Sequence, residues 1–228
     1  FITNGHNADV IVVACKTDPE LGARGVSLFV VTADMPGFSR GRNLQKIGQH
    51  AQDTAELFFE NVRVPADHLL GEENKGFRYL MQELAQERLL VSVQCQSRAE
   101  AAFEWTTRYV QERKAFGQRV ADFQNTRFKL AGLWAELQAG RAYCDQLLGL
   151  HMAGELDAVG ASAGKLWHSE LLGRVTDECL QLHGGYGYMH EYPIARAFVD
   201  ARIERIYAGT SEIMKEIIAR AVCDEVRP

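Results

Sequence analysis

Apolar residues form short runs in the first seventy positions and recur every three or four positions after that. The runs at 9–15, 26–31 and 54–59 with 62–64 are rich in β-branched and aromatic residues, and Gly, Pro, Asn and Asp separate them. Such runs predict strands. Because no helical pattern lies between them, we expect the sheet to be antiparallel.

From residue 74 onward the period is that of helices, and no proline occurs between Pro65 and Pro193. We predict helices over 76–113, 123–153 and 158–183, and a last helix from about 211 to 223. Long antiparallel helices with short connections indicate a four-helix-type bundle. The predicted fold class is α+β, with a partial antiparallel β-domain at 1–72 followed by an all-α, four-helix-bundle domain at 73–228.

Composition and charge exclude several classes of function. The 228 residues are 46% hydrophobic and 24% charged, which is ordinary for a globular protein. A net charge of -5 argues against a nucleic acid partner. No apolar run approaches membrane-spanning length. The five cysteines are far apart and lack metal-ligand spacing, which favours a reducing intracellular compartment and no metal.

A carboxylate interrupts one face of the first predicted helix. That face follows steps of three or four residues through Phe77, Leu80, Met81, Leu84, Glu87, Val91, Cys95, Ala99 and Ala102. Every member except Glu87 is apolar or small. Because burial of a lone carboxylate is costly, such a residue is paired, protonated or used in catalysis. The pattern leaves two interpretations open, an ion pair with Arg88 or a neighbouring lysine, and a general base.

The segment 206–213 precedes the last predicted helix and has the composition of a ligand-binding turn. Gly209 permits close approach of the backbone, and Thr210 or Ser211 suits a helix N-cap. Free N–H groups at such a position favour an electron-rich ligand or a developing oxyanion. Helix capping alone is the alternative explanation.

Two further segments could contact a cofactor. In 113–119, Arg113 could hold a phosphate and Phe116 could stack on a base, although a solvated basic helix end explains the segment equally well. The glycine-rich segment 182–188 follows a helix rather than a strand, so it lacks the context of a Rossmann phosphate loop. His183 has no metal-ligand partner at a suitable spacing and is more typical of a structural histidine.

Six short segments follow one another in a specific order along the whole chain. They are 1–5, 53–65, 86–89, 113–117, 181–188 and 206–213. This order resembles the acyl-CoA dehydrogenase family. The resemblance implies an FAD enzyme that oxidises acyl-CoA thioesters to trans-2-enoyl-CoA in fatty acid β-oxidation. It also implies that an N-terminal helical domain and the first part of the middle β-domain are absent from this sequence.

The resemblance also concerns the catalytic base. The family's usual base is a glutamate directly before the Gly-Thr of the last segment, where this chain has Ala208. A minority branch, which includes the long-chain and isovaleryl-CoA enzymes, places a glutamate before Arg-Leu on the first helix, and Glu87 has this context. The chain is most similar to the long-chain branch, which implies medium- to long-chain substrates, but Arg78 departs from its pattern. A branched short-chain dehydrogenase and an inactive binding or assembly module remain alternatives.

The resemblance assigns a role to each candidate residue. Glu87 would take the α-proton while a hydride leaves the β-carbon for the flavin. The substrate would contact Gln86, Arg88, Ala208 and Gly209. FAD would contact Phe1, Ile2, Thr3, Arg113, Phe116, Gln124, Gln181, Gly184, Gly185, Thr210, Ser211 and Glu212.

The resemblance implies partners and a compartment as well. Some of these residues would hold the FAD of a neighbouring subunit, so a homodimer or homotetramer is expected. Reoxidation would be by an electron-transferring flavoprotein. The expected location is the cytoplasm of a bacterium or the mitochondrial matrix of a eukaryote.

Overall fold

The chain forms two compact units that divide between Glu83 and Leu84. The structure is a computed structural model that describes residues 1–225. The first unit contains short antiparallel sheets, and the second is almost entirely helical. The predicted α+β fold class is confirmed.

Six strands form two sheets in the first unit. Their bounds are β1 Ile2–Thr3, β2 Val10–Lys16, β3 Val26–Thr32, β4 Phe38–Asn43, β5 Thr54–Phe59 and β6 Leu69–Leu70. The sheet orders are β1-β5-β4 and β2-β3-β6, and every pair is antiparallel as predicted. The expected extension of the third strand over 62–64 is wrong, because Asn61 turns the chain with φ of 54°. Strand β4 was not predicted.

Strand β3 fixes the beginning of the first helix. It pairs with β2 from Val10 opposite Thr32 to Lys16 opposite Val26. The hydroxyl of the buried Ser27 accepts a hydrogen bond of 2.7 Å from the backbone N–H of Asn74. This bond holds Asn74 against β3, two residues before the first helix begins at Gly76.

Within residues 1–225, five α-helices and one small hairpin follow. The helices are α1 Gly76–Glu112, α2 Gln124–Met152, α3 Ala158–His183, α4 Pro193–Ala201 and α5 Ser211–Glu225, and the hairpin joins β7 Lys114–Ala115 to β8 Gln118–Arg119. Helix α1 begins in the first unit and continues into the second. The four predicted helices are confirmed to within two residues at their described ends. Helix α4 was not predicted.

Helix α3 supplies much of the core of the second unit. Its residues Leu171, Leu172, Val175 and Cys179 are at most 1% exposed. They pack in one cluster with side chains of α1, α2 and α4. From α1 this cluster includes Val91, Cys95, Ala99 and Ala102. The predicted apolar face of α1 is therefore buried from residue 91 onward.

Surveys of the described residues add two observations. None of their helices is both long and apolar enough to cross a membrane. Among the same residues, no three His, Cys, Asp or Glu side chains are grouped so that they could hold a metal ion. All five cysteines are free, and three of them are buried.

Candidate functional site

Glu87 is exposed, which corrects the expectation that it lies among buried apolar side chains. Phe77, Leu80 and Met81 on the same predicted face are 40–44% exposed. The neighbours Arg88 and Leu89 are buried instead, at 7% and 3% exposure. Because consecutive helical residues point about 100° apart, the buried face at this level of α1 is turned away from Glu87.

The buried neighbour of Glu87 is a cation. The Arg88 Nη1 group donates a hydrogen bond of 3.2 Å to the hydroxyl of Ser162 on α3. Burial lowers the pKa of Arg88, and the Glu87 carboxylate partly opposes this shift. Within the described residues, the buried Arg88 Nε has no acceptor. Glu87 and Arg88 thus present a carboxylate outside the core and a guanidinium inside it.

The turn before α5 has an unusual backbone. Ala208 and Gly209 have φ of 51° and 93°. Among the described residues we find no acceptor for the Ala208 N–H. The Gly209 carbonyl accepts a hydrogen bond of 2.7 Å from the ammonium group of Lys165 on α3. The turn therefore holds an unpaired backbone donor beside an anchored carbonyl.

Side chains fix both ends of this turn. Thr210 caps α5, because its hydroxyl accepts a bond of 3.3 Å from the Ile213 N–H. Ser211 is buried and its hydroxyl donates to Glu170 Oε1 at 3.0 Å. Glu212 is exposed, and hydrogen bonds from its own N–H and from Thr210 lower the pKa of its carboxyl. The capping interpretation is correct for Thr210.

Helix α3 connects the two candidate halves of the site. Ser162 binds Arg88 and Lys165, three residues later, binds the Gly209 carbonyl. Residues three apart are neighbours on one helix face. Glu87 and Ala208 are each adjacent in sequence to a residue fixed at this turn of α3. Gln86, the remaining predicted substrate contact, is exposed on α1.

Lys165 was missed from the sequence, although a signal was present. It is fully buried within a face of α3 that includes Ala161, Ser162, His168 and Ser169. The logic that singled out Glu87, a charged residue at the apolar period of a helix, applies to Lys165 as well. The buried charge on α3 is thus a feature that the sequence analysis could have found.

A second candidate region is a cleft of about 510 Å³ beside the end of α3. It brings together four predicted cofactor residues, Arg113, Gln181, Gly184 and Gly185. The Arg113 guanidinium lies 5.5 Å from the ring centre of Tyr186, another lining residue. A Cβ added to Gly184 or Gly185 would meet no atom within 4 Å. The cleft therefore offers a cation, aromatic surface and accessible backbone.

One of the residues that line the cleft is a structural histidine. His183 is 4% exposed, stacks on Tyr109 at 4.2 Å and bonds through Nδ1 to the Cys179 carbonyl at 2.8 Å. Burial lowers the pKa of His183, and the bond to Cys179 partly opposes this. These contacts agree with the structural role expected of His183.

Phe116 stands at the tip of the β7–β8 hairpin. Its side chain is 97% exposed, and its φ is 50°. Gly117 follows with φ of 81°, so both central residues of the two-residue turn are left-handed. Bulky residues rarely adopt this conformation outside functional sites. Gln124, also predicted to contact the cofactor, begins α2 and is exposed.

Phe1, Ile2 and Thr3 belong to the first unit. Ile2 and Thr3 form β1 and pair with Ala55 and Thr54 of β5. All three side chains are exposed, and Phe1 is 99% so. They provide an aromatic ring and a hydroxyl at one edge of a sheet.

Comparison with known proteins identifies the two parts of the chain. Residues 1–62 match the family model of the acyl-CoA dehydrogenase middle domain. Residues 74–223 match the family model of the acyl-CoA dehydrogenase C-terminal domain. The matches run in the same order as the two structural units.

Individual proteins agree with these matches. Long-chain specific acyl-CoA dehydrogenase of Sus scrofa is 56% identical over 97% of this chain and 52% of its own length. An acyl-CoA dehydrogenase structure from Geobacillus kaustophilus has a TM-score of 0.95 and 54% identity, over 97% of this chain and 59% of that one.

A structure with a bound cofactor is also similar. The acyl-CoA dehydrogenase from Bacillus anthracis complexed with FAD has a TM-score of 0.89 and 32% identity. The similarity covers 98% of this chain and 41% of that one. The chain spans about half the length of the curated relatives it matches. The chain belongs to the acyl-CoA dehydrogenase family.

Proposed function

We propose that the protein containing this chain is an FAD-dependent acyl-CoA dehydrogenase in which Glu87 is the catalytic base. One observation carries this proposal. The Glu87–Arg88 pair and the Ala208–Gly209 turn are both anchored to one turn of α3, through Ser162 and Lys165. The position where most of the family has its base carries Ala208, so a carboxylate must come from elsewhere in the same region.

The residues of this chain perform two linked tasks. Removal of an α-proton from a thioester places negative charge on the carbonyl oxygen, which a fixed donor stabilises. The unpaired N–H of Ala208 supplies that donor, and Glu87 accepts the proton. The buried guanidinium of Arg88 lies next to Glu87 in the sequence and attracts negative charge at the base.

The cleft beside α3 fits a dinucleotide. Arg113 suits a phosphate, Tyr186 suits a base, and the open backbone of Gly184 and Gly185 permits close approach. The exposed ring of Phe116 on the β7–β8 hairpin offers a further stacking surface. Following the family, we assign Arg113, Phe116, Gln124, Gln181, Gly184 and Gly185 to contacts with the FAD of a neighbouring subunit. We assign Phe1, Ile2, Thr3, Thr210, Ser211 and Glu212 to contacts with the FAD of the same subunit. When bound there, FAD would supply the acceptor for the hydride that leaves the β-carbon.

The family also supports proposals for the substrate, the partners and the domain boundary. The 56% identity to a long-chain specific relative favours medium- to long-chain acyl-CoA in β-oxidation. We propose a homo-oligomer that is reoxidised by an electron-transferring flavoprotein, in the bacterial cytoplasm or the mitochondrial matrix. The two family matches end at 62 and begin at 74, which supports a domain boundary after residue 72.

The test is anaerobic bleaching of the flavin by a long-chain acyl-CoA. Glu87→Gln in the full-length, FAD-loaded protein is expected to bind FAD normally and to reduce it about 10²–10⁴-fold more slowly, the usual contribution of a general base. Glu83→Gln is the matched control, because Glu83 is another exposed carboxylate one turn earlier on α1. Equal rates in the two variants would refute the assignment of Glu87.

A further inference from the structure

We propose that Lys165 and Glu170 of α3 are positioning residues that hold the Ala208–Gly209 turn so that the Ala208 N–H can bind the thioester oxygen. This inference rests on the proposed function. Lys165 and Glu170 would then act in the reaction indirectly, through the turn, without touching the substrate.

Lys165 acts on the middle of the turn. Its side chain is 0% exposed, and its ammonium group donates to the Gly209 carbonyl at 2.7 Å. Burial lowers the pKa of Lys165, and the nearby Cys95 and Glu204 partly oppose this. Because a buried ammonium group needs an acceptor, the bond to Gly209 constrains both the lysine and the turn.

Glu170 acts on both ends of the turn. Its Oε2 pairs with Arg205 Nε at 3.2 Å, before the turn begins. Its Oε1 accepts the Ser211 hydroxyl at 3.0 Å, where α5 begins. One carboxylate therefore fixes the spacing between the residues that flank 206–210.

The Glu170–Arg205 pair also depends on a glycine of α3 that leaves room for the Arg205 side chain. A Cβ added to Gly173, three residues after Glu170 on α3, would lie 1.9 Å from Arg205 Nη2. The absence of a side chain at position 173 lets Arg205 reach across α3 to Glu170.

The turn needs such support because its own residues do not favour its shape. Ala208 adopts a left-handed φ of 51°, which L-residues with a Cβ disfavour. Catalysis depends on this shape, since an oxyanion donor works at about 2.7–3.1 Å from the oxygen. A displacement of about 1 Å can slow a reaction by about 100-fold.

The experiment compares Lys165→Met and Glu170→Gln with Glu178→Gln in the full-length, FAD-loaded protein. Glu178 is the matched control, because it also lies on α3 and pairs with one cation, Lys129. The side chains of Glu170 and Glu178 are 34% and 40% exposed. If Lys165→Met does not fold, Glu170→Gln still tests the proposal.

Two readouts separate positioning from structural support. We expect the rate of flavin reduction to fall by roughly 10–100-fold in Lys165→Met and Glu170→Gln, with KM changed less than threefold, and to stay unchanged in Glu178→Gln. The second readout is the infrared carbonyl stretch of a long-chain acyl-CoA labelled with ¹³C at the thioester. It is recorded in a Glu87→Gln background, where the substrate stays unoxidised. When Lys165→Met or Glu170→Gln is added to this background, we expect the carbonyl stretch to shift back toward its value in free acyl-CoA.

The outcomes distinguish the two proposals. If the parent protein reduces its flavin and Glu87→Gln lowers the carbonyl frequency, and adding Lys165→Met or Glu170→Gln changes neither readout, the positioning role is wrong while the proposed function stands. If the parent protein does not reduce its flavin and Glu87→Gln does not lower the carbonyl frequency, the proposed function fails, and the positioning role is refuted with it.

Discussion

The ammonium group of Lys165 and the carbonyl of Gly209 are joined by a hydrogen bond of 2.7 Å across 44 residues of sequence. Lys165 lies in the first third of α3, and Gly209 lies in the turn that precedes α5. The bond makes the geometry of the last segment depend on a buried charge of another helix. The site is therefore organised around α3, with Arg88 held by Ser162 one turn before Lys165.

Close packing between helices predicts opposite effects for two glycine substitutions. A Cβ at Gly164 on α3 would lie 2.3 Å from Leu147 Cδ1, and Leu147 is 1% exposed, so it has no room to move. We expect Gly164→Ala to lower the free energy of unfolding by about 1–3 kcal/mol. A Cβ at Gly132 on α2 would meet nothing within 4 Å, so Gly132→Ala should raise it by about 0.5–1 kcal/mol. Urea unfolding of both variants measures this, and equal effects would contradict the packing described.

Burial of His183 predicts a loss of stability in acid. The pKa of His183 in the folded protein lies below the ordinary value of 6.5. Between the two values the unfolded chain binds a proton that the folded chain does not, so the free energy of unfolding falls as pH drops below about 6.5. The slope from one group is at most about 1.4 kcal/mol per pH unit.

Denaturant unfolding at pH 7.5 and pH 5.5 tests this prediction. His183→Gln should reduce the difference in free energy between the two pH values. His190→Gln, at an exposed position, is the control and should leave the difference unchanged. If both variants behave alike, the pH dependence comes from other groups.

The helices could be predicted from the sequence because their apolar periods are long and their ends are marked. Helix α3 is an example, since Asp157 caps its beginning and Gly184 follows its end. Helix α4 was missed because its nine residues follow a segment rich in Gly and Tyr. Strand β4 was missed because Phe-Ser-Arg-Gly-Arg-Asn lacks the β-branched run that marks β2 and β3.

The sequence indicated candidate residues for the site but not the hydrogen bonds that hold them in place. The segment order indicated Glu87 and Ala208, yet the exposure of Glu87 depends on how α1 is rotated against the core. Neighbouring residues of a helix point about 100° apart, and an apolar period of three or four residues does not decide which of two neighbours faces the core. The bonds from Lys165 and Glu170 join distant segments, so local patterns carry no direct sign of them.

Arg113 predicts a specific effect on FAD affinity. Its guanidinium lines the cleft, and hydrogen bonds to a charged group contribute about 1.5–3 kcal/mol. At about 1.4 kcal/mol per tenfold change, Arg113→Met should weaken FAD binding by about tenfold or more. Arg108→Met is the control, because Arg108 lies near the end of α1, five residues before Arg113, and pairs with Glu104. Titration of the apoprotein with FAD measures both, and equal affinities would exclude Arg113 from the site.

Because the tip of the hairpin is strained, we predict that replacing Phe116 stabilises the protein and weakens FAD binding. Phe116 is left-handed and precedes Gly117, whereas Asn-Gly is the favoured sequence for such a turn. Phe116→Asn should raise the free energy of unfolding by about 1 kcal/mol and weaken FAD binding. Thermal unfolding and FAD titration of the same variant test this. Unchanged FAD affinity would show that the ring has no part in cofactor binding.

We propose above all that Glu87 replaces the catalytic base that is absent at Ala208. Its most direct test is the rate of anaerobic flavin reduction by a long-chain acyl-CoA in Glu87→Gln and in the double variant Glu87→Gln with Ala208→Glu. We predict that the single variant is slower by about 100-fold or more, and that the carboxylate at position 208 restores part of the lost rate. A single variant with the parent rate, or a double variant no faster than the single one, would contradict the account.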